Sequence, residues 1–394
     1  MTEVTSKEIA VPEVRLKPHT WVKGLMFVMA MWLLSRLVII VVMELIGPLT
    51  SPLPLDYYTN PIPFGYVPGS VPTRGWELFT HWDGAWYRKI ATLGYDYAKH
   101  VRLNELHSIA FFPLFPLLIR GVMMLGIPVD VAGFLVNNLA FLGALLLVYR
   151  WIEERHHTNT ARWVIAVLTW CPYSLYGTVV YTEGLFLLVT AAALRAFEKH
   201  QYAWAAFWGA LATATRLNGA MIVPTFLILT WKQRRSVRAY VAAMSAGLGV
   251  LSFIIYCAIA FGDPLAFLHV QQGWRSAVGG FDWHSWLKIF VTGLTFDKEF
   301  IKFIMIFGGG LLLWHLRNRL SPVLIIYGFC SLGLLIASGS TMSVDRVAYG
   351  VVSLPIAFGV LLADYPRWGY AVIGYFAIVL ANFALRFARW LWVA

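Results

Sequence analysis

The stretch Thr80-His-Trp-Asp-Gly-Ala-Trp-Tyr87 sets a carboxylate, Asp83, between Trp82 and Trp86. Apolar walls disfavour the charged form of a carboxylate and make it a better proton acceptor, so Asp83 is a candidate general base acting on a hydroxyl. Its structural reading is a helix start, because Thr80-x-x-Asp83 has the spacing of a capping box. The two readings are compatible. His81, Trp82 and Tyr87 are the neighbours placed to contact a substrate.

A second carboxylate, Glu183, follows Tyr181-Thr182 between two apolar runs. With Thr182 near the cap, a helix dipole would favour it there; facing a cavity, it would bind hydroxyls or a buried arginine, with Tyr181 beside it. Arg216 lies in Ala212-Thr-Ala-Thr-Arg-Leu-Asn-Gly-Ala-Met221, inside an apolar stretch. At membrane depth an arginine is costly unless paired or hydrated, so Arg216 has either a functional role or a structural pair in Glu183. Asn218-Gly219 supplies a break between two half-helices, and Asn218 joins the candidate binding residues. Gly262-Asp263-Pro264 reads as punctuation, with Asp263 as N-cap and Pro264 at the first helical position. The helix it opens carries His269, Gln271 and Gln272, of which Gln271 is a candidate contact for a polar acceptor. Asp345-Arg346 follows Ser338-Gly-Ser-Thr-Met-Ser343. Arg346 either snorkels at the mouth of a span or grips a lipid phosphate, whose oxygens suit its planar fork.

The sequence has no P-loop, no Gly-rich dinucleotide fingerprint and no HExxH. Cys171, Cys257 and Cys330 lie in apolar runs without disulfide or metal-ligand spacing, and the histidines are scattered. The reading therefore assigns neither a metal nor a cofactor.

These residues must be positioned by membrane helices. Of 394 residues, 59% are hydrophobic and 13% charged, against about 25% charged in soluble proteins. The expected fold class is an all-α polytopic membrane protein, one integral-membrane domain over 1–394 with about eleven spans. They fall near 24–46, 130–151, 161–178, 182–198, 203–215, 218–231, 238–261, 299–316, 322–338, 347–363 and 368–386. The first run exceeds a signal-peptide core of about 7–15 residues and reads as a retained span. Much of the net charge of +11 lies in basic clusters beside apolar runs, which points to topology and lipid headgroups rather than nucleic acid.

Residues 1–23 read as a cytoplasmic tail and 47–129 as a large first external loop carrying interfacial helices. Seven prolines between Pro48 and Pro72 keep part of that loop extended. The segment Phe111–Leu125 has two prolines and Arg120 and is too short to span comfortably. If it crossed, Arg150, Arg155 and Arg162 would fall outside, against the positive-inside rule, so it is read as lying in the interface. The basic clusters at 195–199, 232–238 and 317–319 then face inward; Arg386 and Arg389 are the exceptions. In this topology Asp83, Glu183, Arg216, Asn218, the segment 262–282 and Asp345-Arg346 converge on the outer side.

The motif His81-Trp-Asp-Gly-Ala-Trp-Tyr, followed by Ala110-Phe-Phe-Pro-Leu-Phe-Pro116, resembles the PIG-V family of membrane mannosyltransferases. Pro172 through Tyr181-Thr-Glu-Gly-Leu-Phe186 and Thr215-Arg-Leu-Asn-Gly219 resemble two further blocks of that family, with a weaker echo at Ser343-Val-Asp-Arg346. The blocks cover residues 80 to 220, and their order makes the match specific. Two positions depart: His81 stands where the family often has Arg, and Val347 follows Arg346 where Tyr is usual. The resemblance implies a GT-C-like bundle, Asp83 as base, and a sugar donor linked to polyprenyl or dolichyl phosphate.

The function expected is an inverting mannosyl transfer to an acceptor hydroxyl on the outer side of the membrane. Its partners are the lipid-phosphate sugar, a glycan or lipid acceptor and membrane lipids, with no nucleic acid. The setting is a monomer in a bacterial plasma membrane, or facing the ER lumen in a eukaryote. The rival is a transporter or flippase of a lipid-linked sugar built on the broken segment 203–231 and Arg216. Transporters often carry internal repeats, none is evident here, and a long loop bearing a tryptophan-walled carboxylate suits an enzyme.

Overall fold

The computed structural model describes residues 18–49, 74–98, 106–271, 283–294, 299–338 and 343–393, and among them every regular element is helical. In chain order these are α1 (Pro18–Val41, running on as a wider π turn, Val42–Ile46), α2 (Asp83–Leu93), α3 (Leu114–Met123), α4 (Val129–Arg155), α5 (Thr158–Trp170) and α6 (Glu183–Glu198). Next come α7 (Tyr202–Thr215), α8 (Ile222–Lys232), α9 (Val237–Ser245), α10 (Leu248–Phe261), α11 (Ala266–His269) and α12 (Trp283–Leu294). The last are α13 (Phe300–Phe303), α14 (Gly309–His315), α15 (Pro322–Ala337), α16 (Val344–Tyr349), α17 (Ser353–Asp364) and α18 (Pro366–Ala388).

Among the described residues four helical stretches are long and apolar enough to cross a membrane: Val22–Leu49, Val129–Arg155, Val237–Phe261 and Pro366–Ala388. Helix α3 has ten residues, about 15 Å and half the hydrocarbon thickness. Two expected spans are shorter than their apolar runs. The run 161–178 leaves the helix after Trp170, because Pro172 disfavours helical geometry at Cys171, whose ψ is 135°. A tight 3₁₀ turn, Pro172–Gly177, follows. The run 347–363 is split, with α16 ending at Tyr349 and α17 starting at Ser353 so that Pro355 falls in its first turn.

The buried segment 171–182, which lies between α5 and α6, is held by α4. Asn137 donates from Nδ2 to the carbonyls of Tyr176 and Val179, 2.7 Å each, and Asn138 donates to that of Thr178 at 2.8 Å. Asn137 Oδ1 accepts the amide of Gly184 at 2.9 Å. These bonds satisfy backbone groups that would otherwise be buried unpaired. The approach is so close that a Cβ at Gly184 would stand 2.4 Å from the Asn137 carbonyl oxygen, which only glycine avoids. At their far ends α4 and α6 meet again through Arg155–Glu198 and Arg195–Glu154. The two helices thus run side by side in one direction, and both start at the end where Asp83 lies.

Arg36, deep in α1, ties the same segment from below. It is buried, donates from Nη2 to Ser174 Oγ at 3.1 Å and to the Thr169 carbonyl at 3.5 Å, and lies 4.7 Å from the centre of the Phe141 ring.

Candidate active site

Asp83 is the first residue of α2, and the residue before it sets its direction. Trp82 has φ 55° and ψ −121°, a conformation that costs about 1–3 kcal/mol outside glycine and is found where the fold imposes it. The expected capping box does not form: Thr80 Oγ1 donates back to the Trp76 carbonyl, and α2 has no side-chain cap. The Asp83 amide donates to the Tyr181 hydroxyl oxygen at 3.2 Å, and its carboxylate is left for another partner.

That partner is Arg346, whose Nη1 lies 2.6 Å from Asp83 Oδ2. Arg346 also stands 3.5 Å through Nε from Glu183 Oε1, which in turn takes Arg216 Nη1 at 2.6 Å. Asp83, Arg346, Glu183 and Arg216 form one alternating chain of charge. The side chains are 14%, 9%, 1% and 16% exposed, so water screens them little and each charge needs its neighbour. Arg346 lies over the rings of Tyr176 and Tyr181, 5.2 and 5.1 Å from their centres, a cation–π placement. Behind it, Asp345 accepts the Arg346 amide at 3.0 Å and the Tyr173 hydroxyl at 2.6 Å.

Arg216 is delivered by the break between α7 and α8. Helix α7 ends at Thr215, Arg216 is extended, and a 3₁₀ turn, Leu217–Met221, leads into α8. Gly219 permits this reversal, since a Cβ there would meet the Ala212 carbonyl oxygen at 2.3 Å. Glu183 starts α6, where the dipole favours it; Thr182 occupies the cap position without a side-chain cap bond.

Asp83, Arg216 and Arg346 open on one cavity of about 290 Å³. Tyr87, Asn218, Gln271 and Trp392 line it too, and Phe111, Leu334 and Leu335 give it an apolar flank. The Asn218 amide nitrogen is buried with no hydrogen-bond partner. Tyr181 and Glu183 do not line the cavity; they contact Asp83 and the two arginines from behind it. Gln272 lies outside the described residues.

His81 and Trp82 stand elsewhere. His81 is 1% exposed, stacks on Phe387 and Trp390, and its Nε2 bonds the Phe387 carbonyl at 2.8 Å. Burial pushes the imidazole down to about 3, against the opposing effect of that carbonyl, so His81 is neutral. It fastens α18 to the loop before α2 rather than lining the cavity. Trp82 packs edge-on against Trp392.

Asp263 is also more than punctuation. Helix α11 begins at Ala266 behind Leu265, and Asp263 accepts the Leu265 amide, the Tyr97 hydroxyl and His269 Nδ1 at 2.7 Å. It pins the segment that carries Leu268 and Gln271 to the strand-like stretch after α2. Asp96 latches that stretch to Ser108. Burial raises its carboxyl, but Ser108 and Lys89 overcome this and bring it down to about 2. The latch is intact above the ordinary aspartate value and is lost as the pH falls through about 2.

Arg36, Asn137, Asn138, Tyr173 and Tyr176 escaped the sequence reading. For Arg36 the signal was present, an arginine inside the first apolar run. The others are common residue types in runs without a charge.

The family model described as Mannosyltransferase (PIG-V) matches residues 25–267, more than half of the chain. No curated protein matches it. Among solved structures, ArnT from Cupriavidus metallidurans bound to undecaprenyl phosphate aligns with a TM-score of 0.54 at 14% identity, covering 91% of this chain and 63% of that one. The apo form of the same protein gives 0.52 at 15% identity, covering 90% and 62%. At such identity these likenesses show the fold, an ArnT-like GT-C bundle. The chain spans less than two thirds of the length of either structure.

Proposed function

Because the chain belongs to the mannosyltransferase (PIG-V) family, we propose that it moves a mannosyl group from a polyprenyl-phosphate carrier to an acceptor hydroxyl, with inversion. One observation carries this reading: a carboxylate and two arginines, drawn from three distant segments, open on one cavity with an apolar flank. The ArnT structure holds undecaprenyl phosphate, the same class of lipid. In the proposed step Asp83 accepts the proton of the acceptor hydroxyl while that oxygen attacks the anomeric carbon. The bond from that carbon to the phosphate oxygen breaks, and the lipid phosphate leaves with the electron pair. Arg346 and Arg216 stabilise the charge it carries away. Gln271, Asn218 and Tyr87 offer hydrogen bonds to the sugar or the acceptor.

A single base opposite a good leaving group is enough for this displacement, whereas a hydrolase would more often flank the bond with two carboxylates. The broken α7–α8 junction, on which a transport reading would rest, opens on the same cavity as Asp83 and so serves the enzyme reading. The topology that goes with it has the N-terminus inside, residues 47–129 outside, and the cavity facing outward within one membrane domain.

The test is incubation of membranes containing the protein with radiolabelled undecaprenyl-phosphate mannose. Label moving to an acceptor, or slowly to water, is the expected result. Donor that crosses the membrane intact and is never consumed would return the protein to the transporters.

A further inference from the structure

We propose that Arg346 changes partner during the reaction. It covers Asp83 while the site is empty and moves onto the donor phosphate when the lipid binds, with Glu183 as its anchor. Donor binding thereby uncovers the base. The inference rests on the reading of Asp83 as base and of a lipid phosphate as donor, and adds an order to it.

The first observation is that the base is occupied. Asp83 Oδ2 is 2.6 Å from Arg346 Nη1. A hydroxyl that is to give its proton to this carboxylate must compete with a charge-assisted hydrogen bond, roughly twice as strong as a neutral one. The second is that Arg346 has an alternative close by. Its Nε is buried without a hydrogen-bond partner, 3.5 Å from Glu183 Oε1. Glu183 Oε2 is likewise buried and without a hydrogen-bond partner, although the side chain is only 1% exposed. Buried polar atoms left without partners on two neighbouring side chains are costly. They describe a second seat for the guanidinium, one that a small rotation would fill.

Where it stands, the guanidinium lies over the faces of Tyr176 and Tyr181. A guanidinium has five N–H donors in a planar fork, so it can hold Glu183 on one edge and a phosphate on another. Charge balance favours the exchange. Two arginines face two carboxylates here. A phosphate adds a negative charge that the guanidinium can face in place of Asp83. The donor therefore binds first and the acceptor hydroxyl second, and the base is not exposed before there is a sugar to transfer.

The test is a double-mutant cycle on the binding of undecaprenyl phosphate to the full-length protein in nanodiscs, read by native mass spectrometry. Asp83→Asn frees Arg346 and should tighten binding roughly ten-fold, the equivalent of one strong hydrogen bond no longer broken. Arg346→Gln should weaken binding by a similar factor. In the Arg346→Gln background, Asp83→Asn should have an effect of less than about two-fold, because no partner remains to be released. Equal tightening in both backgrounds would mean simple repulsion between Asp83 and the phosphate, and no tightening would mean no competition; either result overturns the exchange. Unchanged binding in Arg346→Gln, with its melting temperature intact, would instead remove Arg346 from the phosphate and take the functional reading with it. Arg346→Lys serves as the variant that keeps the charge should Arg346→Gln fail to fold.

Discussion

The two ends of the α4–α6 pair use the same residue types to different effect. At the far end Arg155 pairs with Glu198, Arg195 and Lys199 with Glu154, and Arg319 with Asp364, around a cavity of about 410 Å³. Most of these side chains are between a fifth and a half exposed. Exposed pairs contribute about 0–1 kcal/mol each. Around Asp83 the cavity is smaller, yet the charges are withdrawn from water. Buried polar atoms without partners occur at both ends and do not separate them. Cavity size and charge count would choose the far end. Burial of the charges and their opening on a shared space choose the near end, and those are properties that a reacting site needs.

This contrast can be broken by mutation. Glu183→Gln removes the carboxylate that Arg216 and Arg346 share, and breaking a buried pair typically costs about 3–5 kcal/mol, so we expect a large fall in melting temperature; Arg216→Gln leaves Glu183 its contact with Arg346 and should cost less. Exchanging the two charges should recover folding. It should not recover transfer, because a carboxylate would then face the phosphate. Recovery of both would reduce the pair to a structural role. Arg346→Lys replaces a fork by a point charge, and donor affinity should drop roughly ten-fold with little change in melting. An unchanged affinity would place the phosphate elsewhere. Chelation with EDTA should leave transfer intact, since arginines carry the charge stabilisation in this account. Loss of activity restored by magnesium or manganese would require a carboxylate cluster beyond these four residues. The smallest effect belongs to the far end: Arg319→Gln should change stability by less than about 1 kcal/mol and leave the transfer rate as it was.

Much of the site was legible because an expensive residue in an apolar run announces itself. Glu183 and Arg216 stood out on that ground, Asp83 by the tryptophans on either side of it and Arg346 by its place at the mouth of a span, and the break at Asn218-Gly219 followed from local turn chemistry. The pairing of Asp83 with Arg346 was not legible. It joins residues 263 positions apart, and no local pattern reports such a contact. The capping box at Thr80 failed because α2 starts at Asp83 itself, behind a Trp82 with positive φ, so Asp83 is the first helical residue rather than the third after the cap. His81 looked like a substrate contact by its place in the motif, and packing against α18 gave it another task. The apolar runs located the helices well but overran their ends, at Pro172 and again before Pro355, where backbone geometry decides and hydropathy has no say.

The central claim is that Asp83 is the base of a site assembled from both halves of the chain. Single-turnover transfer from radiolabelled undecaprenyl-phosphate mannose, run on wild type and Asp83→Asn with lipid binding and melting measured on the same samples, tests it most directly. The account predicts that Asp83→Asn folds, binds the lipid and loses at least about 100-fold in rate, the range expected when a positioned base is removed. A folded Asp83→Asn protein that transfers mannose within a few-fold of wild type would contradict it.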